Sequence, residues 1–172
     1  NSPKAIIIVG AYDYPVEEDK GLWQNYIWAI SPDGKELGTF DKLHPIQFVE
    51  KHLPPNPDPK PIKTPIGTLG VKICYDLDFE NGARLMAQSG SEILIVPVLD
   101  PIHWGEVQHI QHSLMAPIRA VETNLWILRC ASSGESQIIN PLGYITKSLS
   151  SGKSDILTGK ARLKKGGTFY SS

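Results

Sequence analysis

The chain has 172 residues and a mass of 19.0 kDa, enough for one domain with a sizeable core, and 17 basic against 18 acidic residues leave a formal charge of −1. A near-neutral chain has no electrostatic reason to seek nucleic acid or acidic lipid, and 41% hydrophobic residues with four Trp exclude disordered, collagen-like and coiled-coil classes. The apolar runs Ala5–Val9 and Ile93–Leu99 fall far short of the roughly 20 residues that cross a bilayer, so a soluble single domain over residues 1–172 is expected.

In chain order, short Ile- and Val-rich runs predict strands over Ala5–Ala11, Trp23–Ile30, Lys35–Phe40, Gly70–Ile73, Ile93–Pro97, Trp126–Ala131, Ser136–Ile139, Tyr144–Lys147 and Asp155–Lys160. Ser31-Pro32-Asp33-Gly34 and Asn140-Pro141-Leu142-Gly143 read as hairpin turns. A first helix begins near Phe79, with Phe79, Ala83, Met86 and Ala87 on one face. A second spans about Glu106–Glu122 through Val107, Ile110, Leu114, Ile118 and Val121, and Pro117 inside it predicts a kink or break. Six prolines within Pro54–Pro65 read as an extended surface loop. Strands alternating with helices imply an α/β layered domain.

Two cysteines cannot build a disulfide framework, and each is read singly. Cys74 closes the run Gly70-Val71-Lys72-Ile73 just before a helix, where free backbone N–H groups and the helix dipole favour a thiolate and can stabilise an oxyanion. Taken by itself it reads more often as a small buried apolar side chain, which is also the reading of Cys130. Lys42 follows a strand, and Glu50 lies eight residues on; a lysine there can supply fixed positive charge, with the carboxylate keeping it protonated and oriented. His109 and His112 have a spacing two metal ligands could use, but no further ligand set completes a site, and packing or capping is expected of them, with no metal. Gly152-Lys153-Ser154 lacks the first glycine of a phosphate loop, and no G-x-S-x-G elbow occurs.

Phe40-Asp41-Lys42-Leu43-His44 through Glu50, followed by Ile73-Cys74-Tyr75-Asp76 with Phe79 and Arg84, resembles the carbon-nitrogen hydrolase (nitrilase) superfamily. The nearer likeness is to the apolipoprotein N-acyltransferase branch, where a Lys-x-His segment runs to a glutamate eight residues after the lysine. Trp104-Gly105, Gln108-His109, Arg119-Ala120-Val121-Glu122, Arg129, Ser133-Gly134, Pro141-Leu142-Gly143 and Gly167-Thr168-Phe169-Tyr170 extend the likeness over nearly the whole chain.

The resemblance implies a four-layer αββα sandwich and a Glu, Lys, Cys triad without cofactor. It makes Cys74 the nucleophile, Lys42 the oxyanion cation, Glu50 its positioning partner, Tyr75 an oxyanion N–H donor, Asp76 a support, and Arg84 and Glu122 structural ion-pairing residues. The family's catalytic glutamate lies upstream of the segment matching Ala5–Gly10, and Glu17 and Glu18 fall after that strand, so the sandwich is expected to be incomplete at its N-terminus and to lack the base. Asp76 in place of Glu, Glu80 in place of Pro, and Pro45, Gln47 and Val49 before Glu50 are departures from the branch.

The implied function is N-acylation of a lipoprotein amino terminus from a phospholipid donor, at the extracytoplasmic face of a bacterial inner membrane to which a parent protein, not this chain, is anchored. The alternatives are a soluble cytoplasmic amidase acting on a small amide, and a non-catalytic nitrilase-like module. An incomplete sandwich exposes an edge strand, and pairing with a second copy or with the absent piece is expected of it.

Overall fold

The computed structural model describes residues 5–13, 23–50 and 54–171. Glu17 and Glu18, expected in a hairpin loop, lie outside the described residues. Two sheets organise the chain. Strands β1 (Ile7–Asp13), β2 (Gln24–Ile30) and β3 (Glu36–Asp41) form an antiparallel three-stranded sheet in that order. A six-stranded sheet follows the order β4 (Ile62–Thr64), β5 (Gly67–Val71), β6 (Ile93–Val98), β7 (Ile127–Ala131), β8 (Ser136–Ile139) and β9 (Ile145–Leu149).

Parallel pairing holds β5 to β6 and β6 to β7, with helices in the crossovers, while the remaining neighbours are antiparallel. The crossover helices lie on one face of this sheet and the three-stranded sheet packs on the other, so both faces of the central strand are covered. In β6, Ile93, Leu94, Val96 and Val98 are all buried, each worth about 1.5–3 kcal/mol of apolar transfer. Helices α1 (Glu80–Gln88) and α3 (Met115–Thr123) add Ala83, Met86, Ala116 and Ala120 to the same core. From the other side it receives Ile27, Ala29 and Phe40 of the three-stranded sheet. Helix α2 (Glu106–Ser113) precedes α3.

The described residues therefore supply a helical layer and both sheets of the expected sandwich. Ile7, Val9 and Trp28 stand exposed on the three-stranded sheet. Val9 and Trp28 are directly opposed across β1 and β2.

Three expectations need correction. The helix over Glu106–Glu122 is two helices, and the break falls at Leu114 rather than at Pro117. Pro117 has no N–H to bond the Ser113 carbonyl, so the ladder ends there and restarts with Pro117 in the first turn, where no N–H is needed. Asp155–Lys160 is not a strand. A side chain at Gly159 would strike Ile138, and residues Ser154–Leu157 border a cavity with Leu128, Cys130 and Ile138, so the segment crosses the sheet face instead of extending its edge. Within the proline-rich stretch, Ile62–Thr64 forms β4, pairing with β5 across a tight turn. Both hairpin turns are present, closed by Gly34 N–H to Ser31 and by Gly143 N–H to Asn140, each at 2.9 Å.

Candidate active site

Cys74 opens a 3-10 turn over Cys74–Asp78, immediately after the β5 run. Its φ of 51° is in the left-handed region, which costs a non-glycine residue energy and persists only where surroundings hold it. The surroundings here centre on Asp76. Its fully buried carboxylate accepts the Ile73 N–H of its own turn at 3.1 Å. It also accepts the Leu43 and His44 N–H groups at 3.0 and 2.7 Å, and contacts His44 Nδ1 at 3.1 Å. Burial by itself would raise this carboxyl, but His44, Lys72 and the Ile73 and Leu43 N–H groups hold it below the usual carboxylate range. Asp76 thus ties the segment after β3 to the cysteine turn.

Lys42, first residue of that segment, meets Glu50 at 2.5 Å with side-chain exposures of 1% and 6%. Glu50 also accepts the Ile46 N–H at 2.7 Å and the Asn25 amide at 3.3 Å, which satisfies both of its oxygens. Such a partner offsets much of the cost of burying the ammonium. Its charge acts on the Cys74 sulfur, against which the Tyr75 N–H also lies.

Burial nevertheless dominates at the sulfur. It pushes the Cys74 thiol up to about 11, aided by the negative charge of Asp100 and opposed by Lys42 and the Tyr75 N–H. The expected thiolate is corrected to a resting thiol, donating to the Leu99 carbonyl at 3.6 Å. Desolvation of a 3%-exposed sulfur outweighs the backbone dipoles that the sequence pattern suggested.

A second buried cluster sits beside it. Asp100, two residues beyond β6, accepts His112 Nδ1 at 2.8 Å and Arg129 Nη2 at 2.7 Å. Burial would raise the Asp100 carboxyl, but His112 and Arg129 hold it below the usual range. Cys74, Asp100 and His112 each bring an atom within 4.8 Å of the others. His112 Nε2 has no hydrogen-bond partner and lies 3.7 Å from Asp78, whose carboxyl burial raises above its usual value.

Sequence reasoning took His112 for packing and passed over Asp100 and Asp78. The available signal was a carboxylate just past the C-terminal end of a parallel strand, where α/β sheets gather their sites. His109 does pack, bonding Ser151 and the Pro101 carbonyl. Arg84 and Glu122 are ion-paired, Arg84 with Glu80 at 3.8 Å and Glu122 with Arg119 at 2.5 Å. Cys130 is free and exposed on β7 instead of buried.

Among the described residues, three openings border this centre, one of them a cavity of about 330 Å³ lined by Cys74, Ile8, Asn25, Val98 and Leu99, among others. A cavity of about 250 Å³ is lined by Cys74, Tyr75, Asp78, Trp104, Gln108 and His112, among others. A groove of about 860 Å³ runs along Leu43, His44, Ile46, Phe48, Tyr75 and Phe79, and also borders Glu50. His44 and Phe79 stack at 3.9 Å, while Phe48 and Val49 are 104% and 63% exposed. No helix among the described residues is long and apolar enough to cross a membrane.

The sequence and the fold are matched in known proteins. Apolipoprotein N-acyltransferase of Gloeobacter violaceus is 26% identical over 140 residues, covering 70% of this chain and 27% of that protein. Human omega-amidase is 28% identical over 153 residues, covering 75% and 52%. The chain spans about a quarter to a third of the curated acyltransferases it matches. Among solved structures, a carbon-nitrogen hydrolase from Helicobacter pylori superposes with a TM-score of 0.74 at 23% identity, over 88% of this chain and 60% of that one. The Caenorhabditis elegans NitFhit protein does so with 0.75 at 21%, over 86% and 40%. Residues 3–169 match the carbon-nitrogen hydrolase family model, and the chain belongs to that family.

Proposed function

We propose that the chain carries the nucleophilic centre of a thiol-dependent acyl transfer, most closely an N-acylation of a lipoprotein amino terminus with a phospholipid acyl donor. The observation that carries this reading is the buried Lys42–Glu50 pair bearing on Cys74 in its strained turn. In the proposed reaction the Cys74 sulfur attacks the acyl carbonyl, and its proton passes to a carboxylate base outside the described residues. Lys42 and the Tyr75 N–H receive the negative charge of the tetrahedral oxyanion, which collapses to a thioester with loss of the alcohol. The acceptor amine then attacks the thioester, the amide forms, and the sulfur regains its proton.

The exposed Phe48 and Val49 beside the large groove favour a long apolar acyl group over a small amide. The amidase reading is supported by the likeness to omega-amidase and to deaminated glutathione amidases, in which water would take the place of the amine. The test is intact mass spectrometry of the full parent protein with a phospholipid donor and a diacylated peptide. An acyl adduct on Cys74 that the peptide discharges, and that Cys74→Ala abolishes, is expected. Undiminished acylation in Cys74→Ala would overturn the proposal, and turnover of short amides without lipid would select the amidase.

A further inference from the structure

The small cavity beside Cys74 has a chemistry of its own. Asp78 borders it with a carboxylate that is about one-third exposed and has no Lys or Arg ion-pair partner among the described residues. The Arg119 guanidinium, close by, is already committed to Glu122 and to the Leu77 and Asp78 carbonyls. Gln108 contributes a buried side-chain amide oxygen with no hydrogen-bond partner. Trp104 adds an aromatic side chain to the lining.

His112 completes the set. His112 Nδ1 lies 2.8 Å from the Asp100 carboxylate and 3.3 Å from Arg129 Nη2. Its Nε2 has no hydrogen-bond partner on a 94%-buried side chain, in a residue that lines the cavity. Nε2 and Asp78 Oδ1 are 3.7 Å apart, too far for a hydrogen bond to each other and close enough for one small polar group to reach both. Buried acceptors left without donors are costly unless something supplies them.

From this lining we infer that the cavity is a subsite for a primary ammonium group. Two acceptors, the Asp78 carboxylate and the unpartnered Gln108 amide oxygen, suit the donors of an alkylammonium, and the indole of Trp104 offers a cation-π surface. Resting on the acyl-transfer reading, the inference adds that the partner of the thioester is an amine-bearing substrate, held as its ammonium on the α2 side of Cys74, that releases one proton to solvent before its nitrogen attacks. The acyl chain then occupies the groove on the side of Leu43–Phe48.

The test is a titration of the ¹⁵N-labelled chain with n-butylammonium chloride and, separately, with the neutral isostere n-butanol. The Trp104 indole and Gln108 side-chain amide resonances are the readouts. Saturable shifts with the ammonium, at least tenfold tighter than with the alcohol, are expected. Asp78→Asn should weaken ammonium binding tenfold or more with the rest of the spectrum unchanged; Gln108→Met, which spares the carboxylate, should weaken it less. Equal response to both probes, no saturable shift, or unchanged affinity in both variants overturns the inference. Cys74 acylation is scored independently by mass. Acylation without ammonium selectivity would sink only the subsite, and ammonium binding without acylation only the acyl-transfer reading.

Discussion

The Lys42 ammonium and the Glu50 carboxylate meet at 2.5 Å, and almost none of either side chain reaches solvent. The seven intervening residues are folded so that the Ile46 N–H shares the same carboxylate oxygen. Removing one member leaves the other charge buried alone. Glu50→Leu is expected to cost about 3 kcal/mol of stability, and Lys42→Met a similar amount. The double variant should recover most of that loss, since it leaves no orphan charge. Urea unfolding of the four chains measures the coupling, and purely additive losses would contradict it.

Alkylation of the cysteines should follow burial rather than position in the chain. Cys130 is exposed and Cys74 is pushed up to about 11, so iodoacetamide should modify Cys130 first at neutral pH. The Cys74 rate should climb only as pH approaches 11. Replacing Lys42 with Met removes an opposing positive charge and should move that rise further upward. Peptide mass spectrometry of the folded chain gives both profiles, and a Cys74 midpoint near or below 8.5 would refute the resting-thiol assignment.

Lys72 offers a cleaner stability test. Its ammonium is fully buried with no hydrogen-bond partner, and a methyl at Gly82 would collide with it. Burial lowers its pKa from 10.5 to about 8 against the favourable charge of Asp76. Between those values the unfolded chain holds a proton that the folded chain lacks, so this group makes stability rise with pH across that window. Full expression of the shift would be on the order of 3 kcal/mol. Lys72→Met should therefore stabilise the fold at pH 7, with the advantage shrinking towards pH 10.5. Comparing the two chains at each pH cancels other titrations, including that of Cys74. A pH-independent difference would show that the ammonium is not desolvated.

Gly134 lies where a side chain would run into the Asp100 carboxylate. Gly134→Ala should displace Asp100 from His112 and Arg129 and cost about 2–4 kcal/mol, the scale expected for disrupting a buried charged network. Gly143→Ala is a useful contrast, because its positive φ of 80° and contact with Val121 predict a loss from backbone strain with the cluster intact. The His112 imidazole resonances in NMR separate the two. They should shift in the first variant and stay in place in the second.

Patterns of local spacing made most of the strands legible, because Ile- and Val-rich runs between turn residues have few other uses. Ser31–Gly34 and Asn140–Gly143 carried enough turn chemistry to place two hairpins outright. Pro117 announced a break but not its site, since the missing bond belongs to a carbonyl four residues earlier. The segment after Asp155 had strand composition without an available edge, a property that only the assembled sheet decides. At the active centre, Lys42, Glu50 and Cys74 were legible as a set through family likeness. Asp78, Asp100 and His112 come from three separate elements and share no local spacing. The balance between desolvation and charge at Cys74 depends on packing depth, which one-dimensional patterns do not encode.

The Asp76 carboxylate has a mechanical consequence as well. By gripping N–H groups of both the Leu43–His44 segment and the cysteine turn, it couples Lys42 and Cys74 into a single body. Thermal excursions of the groove rim at Phe48 can then proceed without changing the span between the Cys74 sulfur and the Lys42 ammonium. A surface loop is free to follow a pliable substrate while the centre beneath it keeps its calibration.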